Sequence, residues 1–176
     1  MLTPEVRMSH SVPAEPPSAD RRVAPLAVAA YTPAEWDLLT ELPGRAVVVA
    51  AVPGPGRADP GVAAGLAGLE AVAAGRSFDS ELVRAVAAAI YARHDVGTPH
   101  RVPSAAPDDL LAAARVATRV LHRRADPADS AAYRQWVQSV AARVRRVVPP
   151  SVAAPQPPDA DDRLFLDRLG RALRLR

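Results

Sequence analysis

His94, Asp95 and His100 are the residues of this 176-residue chain best typed to hold a metal ion, two imidazoles and a carboxylate in one short segment. Their spacing argues against that role. No histidine pair has the i, i+4 interval that brings two ligands to one helix face, and the chain has no cysteine to assist. The segment reads as polar loop. His10 falls in a proline-rich N-terminal stretch, and His122 sits beside Arg123 and Arg124 at the expected end of a helix, where a cation is favoured. A second set, Glu35, Asp37 and Glu41, gathers carboxylates of the kind used in acid–base or metal chemistry. Glu35 is claimed by a helix cap, and acid is expected near a helix start in any case. There is no Gly-x-Ser-x-Gly elbow. The Gly/Pro run at 53–56 lacks the Gly-Lys-Ser/Thr of a phosphate loop in a chain without lysine. The sequence predicts no catalytic residue, no cofactor and no metal site, and so a protein that is not an enzyme.

Arginine is the third reactive set. All 22 basic residues are arginine, and asparagine is missing too. With a pI near 10.1, such a set would ordinarily point to nucleic acid. The missing and rare residues are largely those with A/T-rich codons, isoleucine occurring once and phenylalanine twice. A GC-rich genome accounts for that bias without chemistry. Placement says more than number. Residues 31–100 carry five basic and eight acidic groups, a net of −3, whereas 101–148 carry nine and four, a net of +5. Arg134, Arg143, Arg145 and Arg146 share the polar side of one amphipathic helix and form the candidate interaction surface. A nucleic-acid role would set them on phosphates. No exposed aromatic interleaves with them, helix-turn-helix spacing is absent, and the net charge is a modest +3. A solvated outer face is the expectation.

The elements that must position these groups are legible from punctuation. Length allows one ordinary domain with a tail or two, and an apolar fraction of 49%, much of it alanine, favours closely packed helices. Five prolines before residue 30 predict a disordered tail over 1–30, within which Met8 is a rival start to Met1. A helical bundle is expected over 31–148. It opens with Thr32 as N-cap, Pro33 at the first helical position, Glu35 closing a capping box, and Tyr31 stapled to Trp36. Loss of such a cap costs on the order of 1 kcal/mol. The first helix meets Pro43-Gly44, and the valine-rich run 45–52 beyond it suits a strand or a second helix after a proline kink; with no second strand to pair with, helix is expected.

Asp59-Pro60 restarts a helix containing Gly61, Gly65 and Gly68, which needs a closely packed neighbour, and Gly75 is expected to close it. Ser77 or Asp79 caps the next, with Leu82, Val83, Val86, Ala87 and Ile90 inward. A loop follows from His94 to Ala106. Pro107 and Asp126-Pro127 open two more helices, the second with Tyr133, Trp136, Val137, Val140, Ala141, Val144, Val147 and Val148 as its apolar stripe. A Pro/Ala linker is expected over 149–158. A C-terminal helix over 159–176 then packs through Leu164, Phe165, Leu169 and Leu173. The fold class is all-α, a bundle of about five to six helices.

Three segments, TPAEWDLLTELP, SAAYRQWVQSVAARV and DRLFLDRLGRAL, resemble uncharacterised helical bacterial proteins loosely similar to the tellurite-resistance (TerB-like) helical group. The resemblance runs from about Tyr31 to Val148 plus the final helix. It departs before that helix, where VVPPSVAAPQPP replaces a glycine-rich turn. It implies an all-helical fold and carries no catalytic residue across. The expected function is a non-catalytic module that binds another protein through its acidic half, its basic half or its glycine-lined helix. A metal or stress-response role is the alternative the resemblance suggests, and nucleic-acid association through 115–146 a third. No apolar run approaches the roughly 18–20 residues of a membrane span. Neither a secretory signal nor a disulfide is predicted, which fits the cytoplasm. Oligomeric state is not read from the sequence.

Overall fold

A computed structural model describes residues 28–53, 61–95, 105–147 and 160–175, and in these every element is helical. The helices are α1 (Pro33–Ala51), α2 (Gly61–Ala73) followed by one 3-10 turn (Ala74–Ser77), α3 (Glu81–Asp95), α4 (Pro107–Arg124), α5 (Pro127–Arg145) and α6 (Ala160–Ala172). The all-α bundle expected from the sequence is present. None of the described helices is long and apolar enough to cross a membrane. The proline-rich tail, the Asp59-Pro60 cap, the loop over 96–104 and the linker lie outside the described residues.

α1 begins as its sequence dictates. Thr32 Oγ1 accepts from the Glu35 amide at 3.3 Å, and a Glu35 carboxylate oxygen accepts from the Thr32 amide at 2.9 Å. The Tyr31 and Trp36 rings meet at 5.9 Å. The valine run does not form a separate element: α1 continues through Pro43 to Ala51. Proline inside a helix removes the amide that would bond the carbonyl four residues earlier. Here that carbonyl belongs to Leu39, and the Tyr133 hydroxyl of α5 donates to it at 2.7 Å. Tyr133 is fully buried, and burial holds its phenol well above the usual tyrosine range, so it stays a donor. Tyr133→Phe is therefore expected to cost about 1–3 kcal/mol, the penalty for a buried acceptor left without a partner. Adding Pro43→Ala, which restores an amide to that carbonyl, should recover part of it. Urea unfolding of the single and double variants checks this, and a neutral Tyr133→Phe would refute the account.

α5 is the central helix and packs against every other one. Its expected stripe of Tyr133, Trp136, Val137, Val140, Ala141 and Val144 is buried, with Leu39, Leu42 and Val49 of α1, Val83 and Val86 of α3 and Leu110 and Leu121 of α4 around it. α2 lies close on α1 and α5. Of its glycines only Gly68 is closely packed, since a Cβ there would strike the Val47 methyls; Gly65 has open space around it.

Four expectations are corrected. Gly75 does not end α2 by turning left-handed; it lies in the 3-10 turn, and a Cβ there would sit 2.7 Å from Trp136 Cζ2. The cap of α3 is Ser80, not Ser77 or Asp79: Ser80 Oγ accepts from the Val83 amide at 3.2 Å and donates to Asp129 at 2.6 Å. His94 and Asp95 belong to the last turn of α3 rather than to a loop. On α6, Leu169 and Leu173 are buried as expected, but Leu164 is 55% exposed and Asp162 is buried in its place.

Candidate functional site

The arginines of the expected surface do not form one free patch. Arg134 donates to the Leu173 carbonyl at 3.2 Å and the Arg174 carbonyl at 2.9 Å, capping the C-terminus of α6. Arg145 pairs with Asp162 at 3.1 Å, reaches the Val49 carbonyl at 3.4 Å and lies over the Phe165 ring. Both guanidinium groups are occupied inside the fold, where α6 covers the side of α5 that the helical pattern leaves polar. Arg143 and Arg146 are exposed, Arg143 in a loose pair with Glu70 at 3.8 Å.

The carboxylates of α1 likewise do not converge. Glu35 closes the capping box and faces Arg123 and Arg124, each at 3.5 Å. The Thr32 amide bond, with these arginines adding to it, holds the Glu35 carboxyl below its usual range. Asp37 pairs with Arg93 of α3, and Glu41 with Arg45 one turn on, at 2.6 Å. Each acid has its own cation, an arrangement that ties helices rather than coordinates a ligand. Among the described residues no group of three or more His, Cys, Asp or Glu side chains could hold a metal ion. His100 lies outside the described residues.

A different set of arginines comes together. Where α4 crosses the end of α6, Thr118 Oγ1 donates to the Ala114 carbonyl at 2.8 Å and reaches the Ala172 carbonyl at 3.3 Å. That contact sets Arg115 and Arg119 of α4 beside Arg171 and Arg174, and these four with Ala172 line a cleft of about 220 Å3. Arg174 occupies the left-handed region at φ 51°. The Leu175 amide bonds the Gly170 carbonyl at 3.0 Å and the Arg174 amide bonds that of Arg171 at 3.1 Å, the Schellman pattern. Glycine is the usual residue there; an L side chain costs roughly 1–2 kcal/mol. Sequence reasoning missed this cluster because its halves stand more than 50 residues apart. The signal was present as i, i+4 and i, i+3 arginine pairs on two helices, but nothing local said that the helices touch.

The second exposed feature is the outer face of α2. Val62, Leu66 and Leu69 are 80%, 55% and 57% exposed. At i, i+4 and i+7 they form one stripe, while Ala64, Gly68, Ala71 and Val72 bury the opposite side. Glu70 borders the stripe, its side chain 71% exposed.

The fold and these surfaces define a small all-α bundle with an apolar helix face on one element and an arginine cleft between two others. Comparison with protein-family models, with curated proteins and with solved structures finds no match to the chain.

Proposed function

We propose that the chain is a non-catalytic interaction module that docks an amphipathic helix of another protein on the outer face of α2. The stripe of Val62, Leu66 and Leu69 carries this reading. A helix whose inner side is built into the core and whose outer side still offers large apolar residues at helical spacing suits helix-on-helix recognition. Within α2 Glu70 is the one charged residue, and Arg143 stands 3.8 Å from it, so recognition there rests on the apolar stripe rather than on charge. Three side chains are little area for a two-fold pairing, since specific dimers bury on the order of 1,200 Å2 or more. A helix from a partner protein is the better occupant.

The test starts from crosslinking in cells, identifies the captured protein by mass spectrometry and rebuilds the complex from two purified components. Leu66→Arg with Leu69→Arg should weaken that complex by at least about tenfold, the scale of a central apolar anchor. Circular dichroism and the melting curve should stay unchanged, because both residues are exposed. A complex indifferent to the pair would end this reading. Concentration-dependent self-association of the chain alone, abolished by the same pair, would replace it with a homodimer.

A further inference from the structure

Arginines on a small bundle normally face a carboxylate or cap a helix end, as Arg134 does at the end of α6. Arg45, Arg93, Arg123, Arg124, Arg143, Arg145 and Arg168 each have an acidic partner. Arg115, Arg119, Arg171 and Arg174 have no ion-pair partner among the described residues, yet they line one cleft. The usual reason for arginine near a helix C-terminus is the row of open carbonyls and the negative dipole end. At the end of α6 those carbonyls are already met: Thr118 reaches that of Ala172, and Arg134 those of Leu173 and Arg174. Arg174 moreover holds a backbone conformation that glycine would adopt without strain. Four exposed like charges thus line one cleft, one of them at a conformational cost, with no ion pair to an acid among the described residues.

We propose that this cleft is an anion site that takes a pyrophosphoryl group, whether as free inorganic pyrophosphate or as the diphosphate of a nucleotide. The charge suits it, because pyrophosphate brings several negative charges in a compact body whereas a carboxylate brings one. Guanidinium forks bind phosphoryl oxygens bidentately, and arginine stays charged at every working pH. The size matches too. About 220 Å3 is below the roughly 300–1,000 Å3 that encloses a whole small molecule, which suits one or two phosphoryl groups with the rest of any ligand left outside. A nucleic-acid strand fits less well: the lining is four arginines and an alanine, with no aromatic ring on which a base could stack. The site is separate from the face of α2 and does not depend on the docking reading.

Calorimetry and melting curves of the full chain with sodium pyrophosphate, at roughly 0.15 M ionic strength so that long-range attraction is screened, test the assignment. Saturable one-to-one binding is expected, with phosphate and sulfate at least about tenfold weaker, since each offers fewer charge-assisted hydrogen bonds. Arg115→Gln and Arg171→Gln should each weaken pyrophosphate by a similar factor, while Arg143→Gln and Arg146→Gln, outside the cleft, leave it unchanged. Arg174→Gly should raise the melting temperature and weaken binding together. ADP set beside pyrophosphate distinguishes the two sources: equal affinity means that only the phosphoryl groups are held, and tighter ADP binding means a nucleotide. The proposal is overturned by absent saturation, by binding indifferent to Arg115→Gln and Arg171→Gln, or by an Arg174→Gly chain that gains stability with undiminished binding. Citrate or oligoglutamate binding more tightly than pyrophosphate, or an oligonucleotide that pyrophosphate does not displace, would overturn it equally.

Discussion

Trp136→Ala is expected to lower the unfolding free energy by about 3–5 kcal/mol, a large share of the 5–15 kcal/mol that holds an ordinary domain folded. Trp136 is 1% exposed at the middle of the central helix. Its ring lies against Gly75, where any Cβ would overlap it, and meets the Tyr133 ring edge-on with centroids 5.9 Å apart. Its indole Nε1 donates to the Ala71 carbonyl at 3.2 Å, in the last turn of α2 where intrahelical donors run out. Truncation thus opens a cavity between α5 and α2 and strips a buried acceptor of its donor. Trp136→Phe separates the two effects: it refills much of the volume but restores no donor, and should cost less. Gly75→Ala approaches the same contact from the other side and should cost about 1–3 kcal/mol by overpacking. Because the two substitutions share one space, their effects should not add; Gly75→Ala should be milder in the Trp136→Phe background than beside the native indole. Guanidinium unfolding of the set decides it, and a Trp136→Ala cost under about 1 kcal/mol would mean that the ring is not the keystone of the α2–α5 contact.

What the sequence could show and what it could not divide along the same contact. The cap of α1 was legible because Thr32, Pro33, Glu35 and Trp36 act within one turn and need no partner from elsewhere. The stripe of α5 was legible because periodicity reports which side of a helix is buried. Gly75 was not, because a glycine after a helix has two physical causes. A left-handed φ is local and a close approach is not, and here the approach belongs to a ring 61 positions away. Pro43 shows the same limit. Its chemistry predicts an orphaned carbonyl at Leu39, but the donor that answers it stands on another helix.

Charge was harder still. Periodicity separated the apolar stripe of α5 from the rest, but the four arginines do not share one flank. At 3.6 residues per turn Arg134 and Arg145 lie together on one flank, and Arg143, nine positions from Arg134, lies on the opposite one. The pattern could not tell that α6 packs over one flank, which makes Arg134 and Arg145 half-buried fixings while leaving Arg143 and Arg146 exposed. The regional count was also true and incomplete. It stopped at residue 148, whereas the arginine cleft draws two members from before that point and two from beyond it. Amphipathic pattern fixes burial against the nearest neighbours in the core; it says nothing about which polar sides meet across a helix crossing.

The larger consequence of that crossing is at Asp162, whose removal should destabilise the protein more than that of any exposed acid. Its side chain is 3% exposed and that of Arg145 13%, with the charges 3.1 Å apart. The guanidinium is held further by the Val49 carbonyl and by the Phe165 ring 4.9 Å away. Arg145 Nε is already buried with no acceptor, so losing Asp162 adds to donors that are unmet. Asp162→Ala leaves a buried cation uncompensated, a loss of about 3–5 kcal/mol. The exposed pair of Arg143 and Glu70, 3.8 Å apart, is the internal control: Glu70→Ala should cost less than about 1 kcal/mol. The pair itself is a different matter from its halves. Taking two charges out of water cancels much of their attraction, so Asp162→Leu combined with Arg145→Met should come close to neutral or even stabilise. Denaturant unfolding of the two singles and the double measures this directly. Hydrogen exchange adds where the damage falls: the amides of α6 should lose protection in Asp162→Ala before those of α1 and α5 do, because Asp162 fastens the first turn of α6 to the rest. An Asp162→Ala cost no larger than that of Glu70→Ala would show that water reaches the pair, and α6 would then be held by Leu169, Leu173 and the bonds of Thr118 and Arg134 at its C-terminal end.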